Sequence, residues 1–159
     1  MSEYTIGEIA IAEISAATAM VKAVFDKFNA AGFSEEGIQR FYQLIDPKTI
    51  ENRLANNSFM LVAREEEQII GVIEIYYVNH MLLLYTAENW HGRGIARSLL
   101  NAGIAKCRRE QKEVRQLTVG AFDLAVPIYQ KLGFVTYDQE QTINGIRFTP
   151  MLKKFEQAV

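Results

Sequence analysis

The segment 91–97, with the sequence His-Gly-Arg-Gly-Ile-Ala-Arg, carries the residue types most able to hold a charged ligand. An apolar run at 81–86 precedes it and indicates a buried strand, and small or apolar residues follow at helical spacing from Ile95 to Cys107. Two glycines and two arginines therefore lie where a strand passes into a helix. Free backbone N–H groups and the positive end of the helix dipole both favour an anion at such a junction. Since Arg93 and Arg97 are four residues apart and can share a helix face, the segment predicts a phosphate site.

The elements around this segment indicate one α+β domain spanning residues 1–159. Three closely spaced strands predict an antiparallel meander, and the later order of strand, helix, strand and helix predicts a parallel, adjacent strand pair. The glycine segment would then open at the carboxyl end of a strand, where ligands commonly bind in α/β sheets. The predicted strands are 4–14, 58–64, 69–78, 80–86, 115–121, 134–137 and 146–153. The predicted helices are 15–28, 34–45, a short piece at 47–56, 95–107 and 124–132.

Composition and charge exclude several functional classes. The chain of 159 residues is 49% hydrophobic with a formal net charge of -2, so it lacks the basic excess of a nucleic-acid-binding protein. Its apolar runs are too short for a membrane span, and its first residues lack the basic start and apolar core of a signal peptide. The single cysteine forms no internal disulfide, which fits a reducing cytoplasm, and we expect no metal site.

Two nucleotide-binding motifs fit the glycine segment poorly. A nucleotide P-loop requires G-x-x-x-x-G-K-[ST], and no such string occurs in the chain. A dinucleotide fingerprint requires G-x-G-x-x-G, and here Arg97 stands at the third glycine. Because that glycine lets the helix pack on its strand, the arginine counts against NAD or FAD.

Two segments in register resemble motifs of the GNAT N-acetyltransferase superfamily. Residues 91–96 resemble its pyrophosphate loop, [QR]-x-x-G-x-[GA], with His91 where glutamine or arginine is usual. Residues 125–134 resemble its A-x-x-x-Y-x-K-L-G-F block, and Phe122 stands where an asparagine is frequent. The resemblance implies a mixed sheet of six to seven strands flanked by about four helices, with acetyl-CoA as co-substrate. It implies these cofactor-binding residues: Leu84, Tyr85, Thr86, His91, Gly92, Arg93, Gly94, Ile95, Ala96 and Arg97.

Acetyl transfer to an amine needs one group that accepts a proton from the amine and another that protonates the leaving thiolate. The resemblance assigns the second role to Tyr129, because the hydroxyl of the family's tyrosine approaches the cofactor sulfur. For the base, the histone acetyltransferase branch has a glutamate on the strand before the loop, and the corresponding position here is His80. An imidazole with a pKa near ~6.5 is a competent base at neutral pH. Glu74, a lone charge on its strand face, is the rival candidate, and a water chain is the third.

Two functional hypotheses remain open at this point. The first is an acetyl-CoA-dependent N-acetyltransferase that acts on a small-molecule or peptide amine. The second is a CoA-binding sensor or interaction module without catalysis, which the departures at His91 and Phe122 motivate. Family members often dimerise through late strands, so Ile143, Ile146 and Phe148 are candidates for a homodimer interface.

Overall fold

The computed structural model describes residues 3–77 and 79–156. Val78, the last residue of the predicted strand 69–78, lies outside the described residues. The strands are β1 (Thr5–Glu8), β2 (Ser58–Glu65), β3 (Gln68–Tyr76), β4 (His80–Thr86), β5 (Gln116–Ala121), β6 (Val135–Thr136), β7 (Gln141–Ile143) and β8 (Ile146–Lys154). The α-helices are α1 (Ile14–Phe28), α2 (Glu35–Leu44), α3 (Pro47–Asn56), α4 (Ile95–Glu110) and α5 (Val126–Lys131).

The strands form a mixed sheet in the order β1-β2-β3-β4-β5-β8-β6, and β7 also pairs with β8. Neighbouring strands are antiparallel except β4 and β5, which run parallel. The predicted α+β class, the antiparallel meander and the parallel pair are therefore confirmed. Strand β7 was not predicted, so the described part of the chain has eight strands and five α-helices. No helix among the described residues is long and apolar enough to cross a bilayer.

The predicted first strand, 4–14, is wrong beyond Glu8. The backbone N–H of Ala10 donates to Glu13 Oε1 at 2.9 Å, and residues 11–13 form a short 3-10 turn that leads into α1. Arg64 of β2 donates to the same carboxylate and holds the pKa of Glu13 at about 2, well below its ordinary value. The chain thus leaves the sheet at an ion-paired corner, and Ile14 is buried in a helix instead of a strand.

Strand β4 pairs unequally with its two neighbours. It pairs with β3 along its length as far as Thr86, but with β5 only at His80 and Met81. On the β3 side the register shifts between Met81 and Leu83, so Leu82 is the extra residue of a β-bulge. Beyond Met81, β4 and β5 separate, and the β5-facing backbone edge of residues 82–86 is left without its neighbouring strand.

The two faces of the sheet carry separate cores. One core joins the sheet to α4 and α5, and the other joins it to α1, α2 and α3. Gly71 of β3 lets α4 approach closely, because a Cβ there would lie 2.9 Å from the side chains of Ile95 and Leu99. This close approach fixes the amino end of α4 beside the carboxyl end of β4.

The structure does not support Glu74 as a residue open to a substrate. Its side chain is fully buried and accepts hydrogen bonds from Arg53 Nε and Nη2, both at 2.8 Å. Ser58 Oγ donates to the same carboxylate at 2.8 Å. The lone charge that the sequence shows on β3 is therefore paired with Arg53 of α3 inside the protein.

The residues considered for a dimer interface lie on the β7–β8 hairpin. Phe148 packs on β5, since a Cβ on Gly120 would lie 2.9 Å from its ring. Ile143 is 55% exposed, so it remains a candidate interface residue, whereas Phe148 is engaged within the chain.

The buried pair of Glu74 and Arg53 yields a stability prediction. Glu74→Leu leaves the guanidinium buried without its partner, so we expect the free energy of unfolding to fall by about 3–5 kcal/mol. The double variant Arg53→Met/Glu74→Leu removes both charges and is expected to recover most of that loss. Urea denaturation measures each value. Lys22→Met, which removes an exposed ion pair with Asp26, serves as the control and should change little. A double variant as unstable as Glu74→Leu alone would contradict the prediction.

Candidate active site

A cavity of about 600 Å³ lies where β4 and β5 separate. Its sheet-derived walls are Leu82, Leu84, Tyr85 and Thr86 of β4 with Val119 and Gly120 of β5. The amino end of α4 and the helix α5 line it on one face of the sheet, and the end of α1 lines it on the other. Two reactants can therefore meet in this cavity from opposite faces of the sheet.

The glycine segment forms one end of the cavity. Gly92 and Gly94 have φ angles of 76° and 82°, in the left-handed region that favours glycine. Gly94 is the residue before α4, and it has no side chain to cap the first-turn N–H groups of the helix. These N–H groups and the helix dipole are thus available to an anion, and the prediction that the segment opens α4 is confirmed.

His91 fastens this segment to the end of β4. Its Nε2 lies 2.7 Å from the carbonyl oxygen of Thr86, which can only accept, so Nε2–H donates. The imidazole also packs against Phe28 of α1 with 5.3 Å between ring centroids. The residue that departs from the family motif therefore orders the segment and keeps Nδ1 for other partners.

The two arginines take different positions. Arg97 lines the cavity and donates from Nη2 to the carbonyl oxygen of Lys131 at 3.0 Å, which ties α4 to the end of α5. The guanidinium of Arg93 stacks over Trp90, 4.7 Å from the ring centroid, and Arg93 does not line the cavity. Of the two arginines predicted to flank the phosphates, Arg97 alone lines the cavity.

Tyr129 lines the cavity from α5 and is buried. Its ring packs edge-on against Phe134 with 5.4 Å between centroids. Burial disfavours the phenolate and raises the pKa of Tyr129 above its ordinary value. The hydroxyl is therefore protonated at neutral pH and can donate a proton or hydrogen bond.

Tyr85 and Asn29 lie on the opposite wall. The Tyr85 hydroxyl donates to Asn29 Oδ1 at 3.3 Å, and burial raises the pKa of Tyr85 well above its ordinary value. Phe122, where the family often has asparagine, lines this wall and packs edge-on against Phe33 at 4.8 Å. The wall is thus aromatic, with one neutral amide.

His80 lies beside the cavity and does not line it. Its Nδ1 is 2.8 Å from Thr118 Oγ1 on β5, at the first of the two parallel residue pairs. Burial lowers the pKa of His80, so the imidazole is neutral at pH 7. Of the three sequence-predicted catalytic residues, the structure brings Tyr129 alone into the cavity.

Sequence analysis missed several cavity residues. Val24 and Asn29 of the α1 end and Leu82 of the bulge line the cavity, although their sequence context indicates a core stripe, a helix end and a strand interior. Of these residues, only Asn29 could have been identified from the sequence, because it is a polar residue at the end of an apolar helix stripe, and such a residue often faces a polar partner.

Comparisons with known proteins agree with this geometry. A family model described as an acetyltransferase (GNAT) domain matches residues 29–155. The chain is similar to the PaiA N-acetyltransferase of Thermoplasma acidophilum, solved in complex with coenzyme A, with 19% identity and a TM-score of 0.81 over 96% of this chain and 99% of that one. A GCN5-related N-acetyltransferase from Rhodopseudomonas palustris has 23% identity and a TM-score of 0.82, covering 98% of each chain.

A ribosomal-protein-alanine N-acetyltransferase from Brucella melitensis has 22% identity and a TM-score of 0.68, over 95% of this chain and 99% of that one. A comparison with curated protein sequences found no match. The structural likenesses show the fold, and the family model covers well over half of the chain. The chain therefore belongs to the GNAT acetyltransferase family, whose members use acyl-CoA.

Proposed function

We propose that the protein transfers an acetyl group from acetyl-CoA to the primary amine of a small molecule or peptide by direct attack on the thioester. One observation carries this proposal: a single cavity is lined by the anion-binding segment, by the separated edge of β4 and by the protonated Tyr129. The free, buried thiol of Cys107, whose pKa burial raises to about 11, is compatible with a reducing cytoplasm and is not a nucleophile.

The anionic part of acetyl-CoA fits the glycine segment. Gly92, Gly94 and the first turn of α4 offer backbone N–H groups to the pyrophosphate, and Arg97 adds a positive charge at the cavity wall. Residues Leu84–Thr86 pair with β3 on one side and face the cavity on the other. Apart from the Thr86 carbonyl, which accepts from His91, their free backbone groups suit the amides of the pantetheine arm. The residues present therefore fit the pyrophosphate and the pantetheine arm of this substrate.

In the proposed reaction, the amine nitrogen attacks the thioester carbonyl carbon, a C–N bond forms, and the C–S bond breaks. Tyr129 donates its proton to the departing thiolate, and the nitrogen gives one proton to solvent. Since the phenolate of Tyr129 is disfavoured by burial, Tyr129 recovers its proton from solvent before the next turnover.

Measurements of acetyl-CoA binding and of turnover distinguish an acetyltransferase from a CoA-binding module without catalysis. We expect calorimetry to show binding of acetyl-CoA, and an amine library to give release of free CoA. Binding without turnover on any amine would instead support a CoA-binding module that lacks catalysis. Absence of binding at millimolar acetyl-CoA would contradict both.

Replacement of Tyr129 tests the general acid. Tyr129→Phe keeps the ring that packs against Phe134 and removes the proton donor, so we expect kcat to fall about 10²- to 10⁴-fold with little change in the Kd of CoA. The measurement is steady-state kinetics together with calorimetry. Tyr137→Phe, at an exposed tyrosine outside the cavity, is the matched control and should retain activity. A kcat within threefold of wild type would remove Tyr129 from the mechanism.

Gly94→Ala tests the anion site. A side chain costs about 1–2 kcal/mol in the left-handed conformation that Gly94 adopts, so the segment relaxes and must be reordered when CoA binds. We expect the Kd of CoA to rise about tenfold, since 1.4 kcal/mol corresponds to a factor of ten. Gly32→Ala is the matched control, because a Cβ at Gly32 meets nothing within 4 Å and its φ lies outside the left-handed region. Equal affinity of the two variants would contradict the assignment.

A further inference from the structure

The described residues that line the cavity offer the acceptor no carboxylate with which to deprotonate it. Among these described residues there is no aspartate or glutamate, and the single imidazole is His91 in the anion-binding segment. The six residues outside the described ranges include no aspartate, glutamate or histidine. His91 is held by the Thr86 carbonyl and packed on Phe28, at the end where the pyrophosphate is proposed to bind.

Three carboxylates that are close in the chain or in the sheet to residues of the cavity have cationic partners. Glu74 is enclosed with Arg53, and Glu88, which follows β4, pairs with Lys27. Asp123, adjacent to Phe122, pairs with Arg147. The remaining titratable or charged groups that line the cavity are Tyr85, Tyr129 and Arg97, none of which accepts a proton at neutral pH.

The wall on the α1 face is apolar. Val24 and Phe28 of α1 line it together with Tyr85 and Phe122, and Asn29, whose Oδ1 accepts from the Tyr85 hydroxyl, adds one polar side chain. Removing an ammonium from water into such surroundings without an anionic partner is costly, whereas an uncharged amine enters readily. The cavity therefore favours acceptor amines that have a larger uncharged fraction at neutral pH.

We infer, on the basis of the proposed function, that the acceptor is the α-amino group of a peptide or amide-blocked amino acid whose first side chain is apolar. Much more of this amine than of a lysine side chain is uncharged in solution at neutral pH, and the uncharged fraction attacks the thioester without a general base from the enzyme. The apolar side chain occupies the wall formed by Phe28 and Phe122, and the Asn29 amide is the neutral polar group that faces the acceptor.

The expected preference for an α-amine over a lysine side chain follows from the uncharged fraction of each amine. At pH 7.5 an α-amine with a pKa near ~8 is about one quarter uncharged, whereas a lysine side chain with a pKa near ~10.4 is about 0.1% uncharged. The ratio is about 200-fold, and it appears directly in kcat/KM when only the uncharged amine enters and attacks.

The test uses the wild-type chain with acetyl-CoA and matched acceptors, with CoA release as the readout. The α-amine probes are Phe-Gly-Gly and phenylalaninamide, which distinguish a peptide from a small amide, and the ε-amine probe is N-acetyl-lysyl-phenylalaninamide. We expect kcat/KM for Phe-Gly-Gly or phenylalaninamide to exceed that for the lysine probe by about 100-fold or more at pH 7.5. Glu-Gly-Gly, with a charged first side chain, is expected to be at least about tenfold poorer than Phe-Gly-Gly.

The dependence of kcat/KM on pH distinguishes attack by an acceptor that is already uncharged from deprotonation of the acceptor by a base of the enzyme. The analogue of Phe-Gly-Gly that begins with β-homophenylalanine keeps the phenyl group and has a more basic amine. We expect the rising limb of kcat/KM to move to higher pH with this analogue, because the limb reports the acceptor's own ionisation. His80→Asn should leave the pH of the rising limb of kcat/KM unchanged for both acceptors.

Three results would overturn the inference. The first is a kcat/KM for the lysine probe equal to that for the α-amine probes. The second is a rising limb of kcat/KM that lies at the same pH for both phenylalanine acceptors. The third is the loss of this rising limb in His80→Asn. Each of these leaves acetyl transfer by the enzyme intact. Lack of turnover with every probe, although acetyl-CoA binds and the amine library gives release of free CoA, would contradict the inference alone. Lack of turnover with the library as well would contradict the proposed function.

Discussion

The early end of the pairing between β4 and β5 is the constraint on which the rest of the site depends. Two adjacent parallel strands ordinarily continue side by side, but here the shared ladder covers His80 and Met81 alone. The separated backbone edge needs hydrogen-bond partners, because unpaired peptide groups away from water are costly. A ligand with its own amides supplies such partners, and the gap that admits it also opens the sheet from one face to the other. The same feature therefore creates a binding edge and a meeting point for two reactants.

Anion binding at this site rests on the backbone more than on side chains. Arg93 is stacked on Trp90 and Arg97 is tied to Lys131, whereas the segment 92–94 turns directly into α4 through two left-handed glycines. Peptide N–H groups at a helix terminus are held in direction by the fold, so little conformational freedom is lost when they bind. The proposed pyrophosphate site therefore does not depend on an overall positive field, which a chain with a net charge of -2 lacks.

The sequence predicted those parts of the fold that local patterns determine. Apolar alternation located the meander, the strand–helix order required the parallel pair, and glycine spacing located the start of α4. The features it could not predict depend on contacts between residues far apart in the chain. Glu74 appears as a lone charge on β3 because its partner, Arg53, lies on another helix, and β1 ends early because Glu13 meets Arg64. The sequence likewise does not show which aromatic residues border the cavity, because a residue such as Phe28 or Phe122 has the same pattern whether it packs in a core or lines a cavity.

One physical cause accounts for both halves of the proposed chemistry. The apolar surroundings that raise the pKa of Tyr129 keep its proton in place for the leaving thiolate. The same surroundings would raise the pKa of a carboxylate and favour its neutral form, so an acidic side chain placed here would be a poor base unless a cation stabilised it. Glu74 shows the alternative: this carboxylate is buried with a guanidinium and a hydroxyl around it, and its side chain does not line the cavity. A cavity that favours a protonated tyrosine is therefore best matched to an acceptor that arrives without a charge.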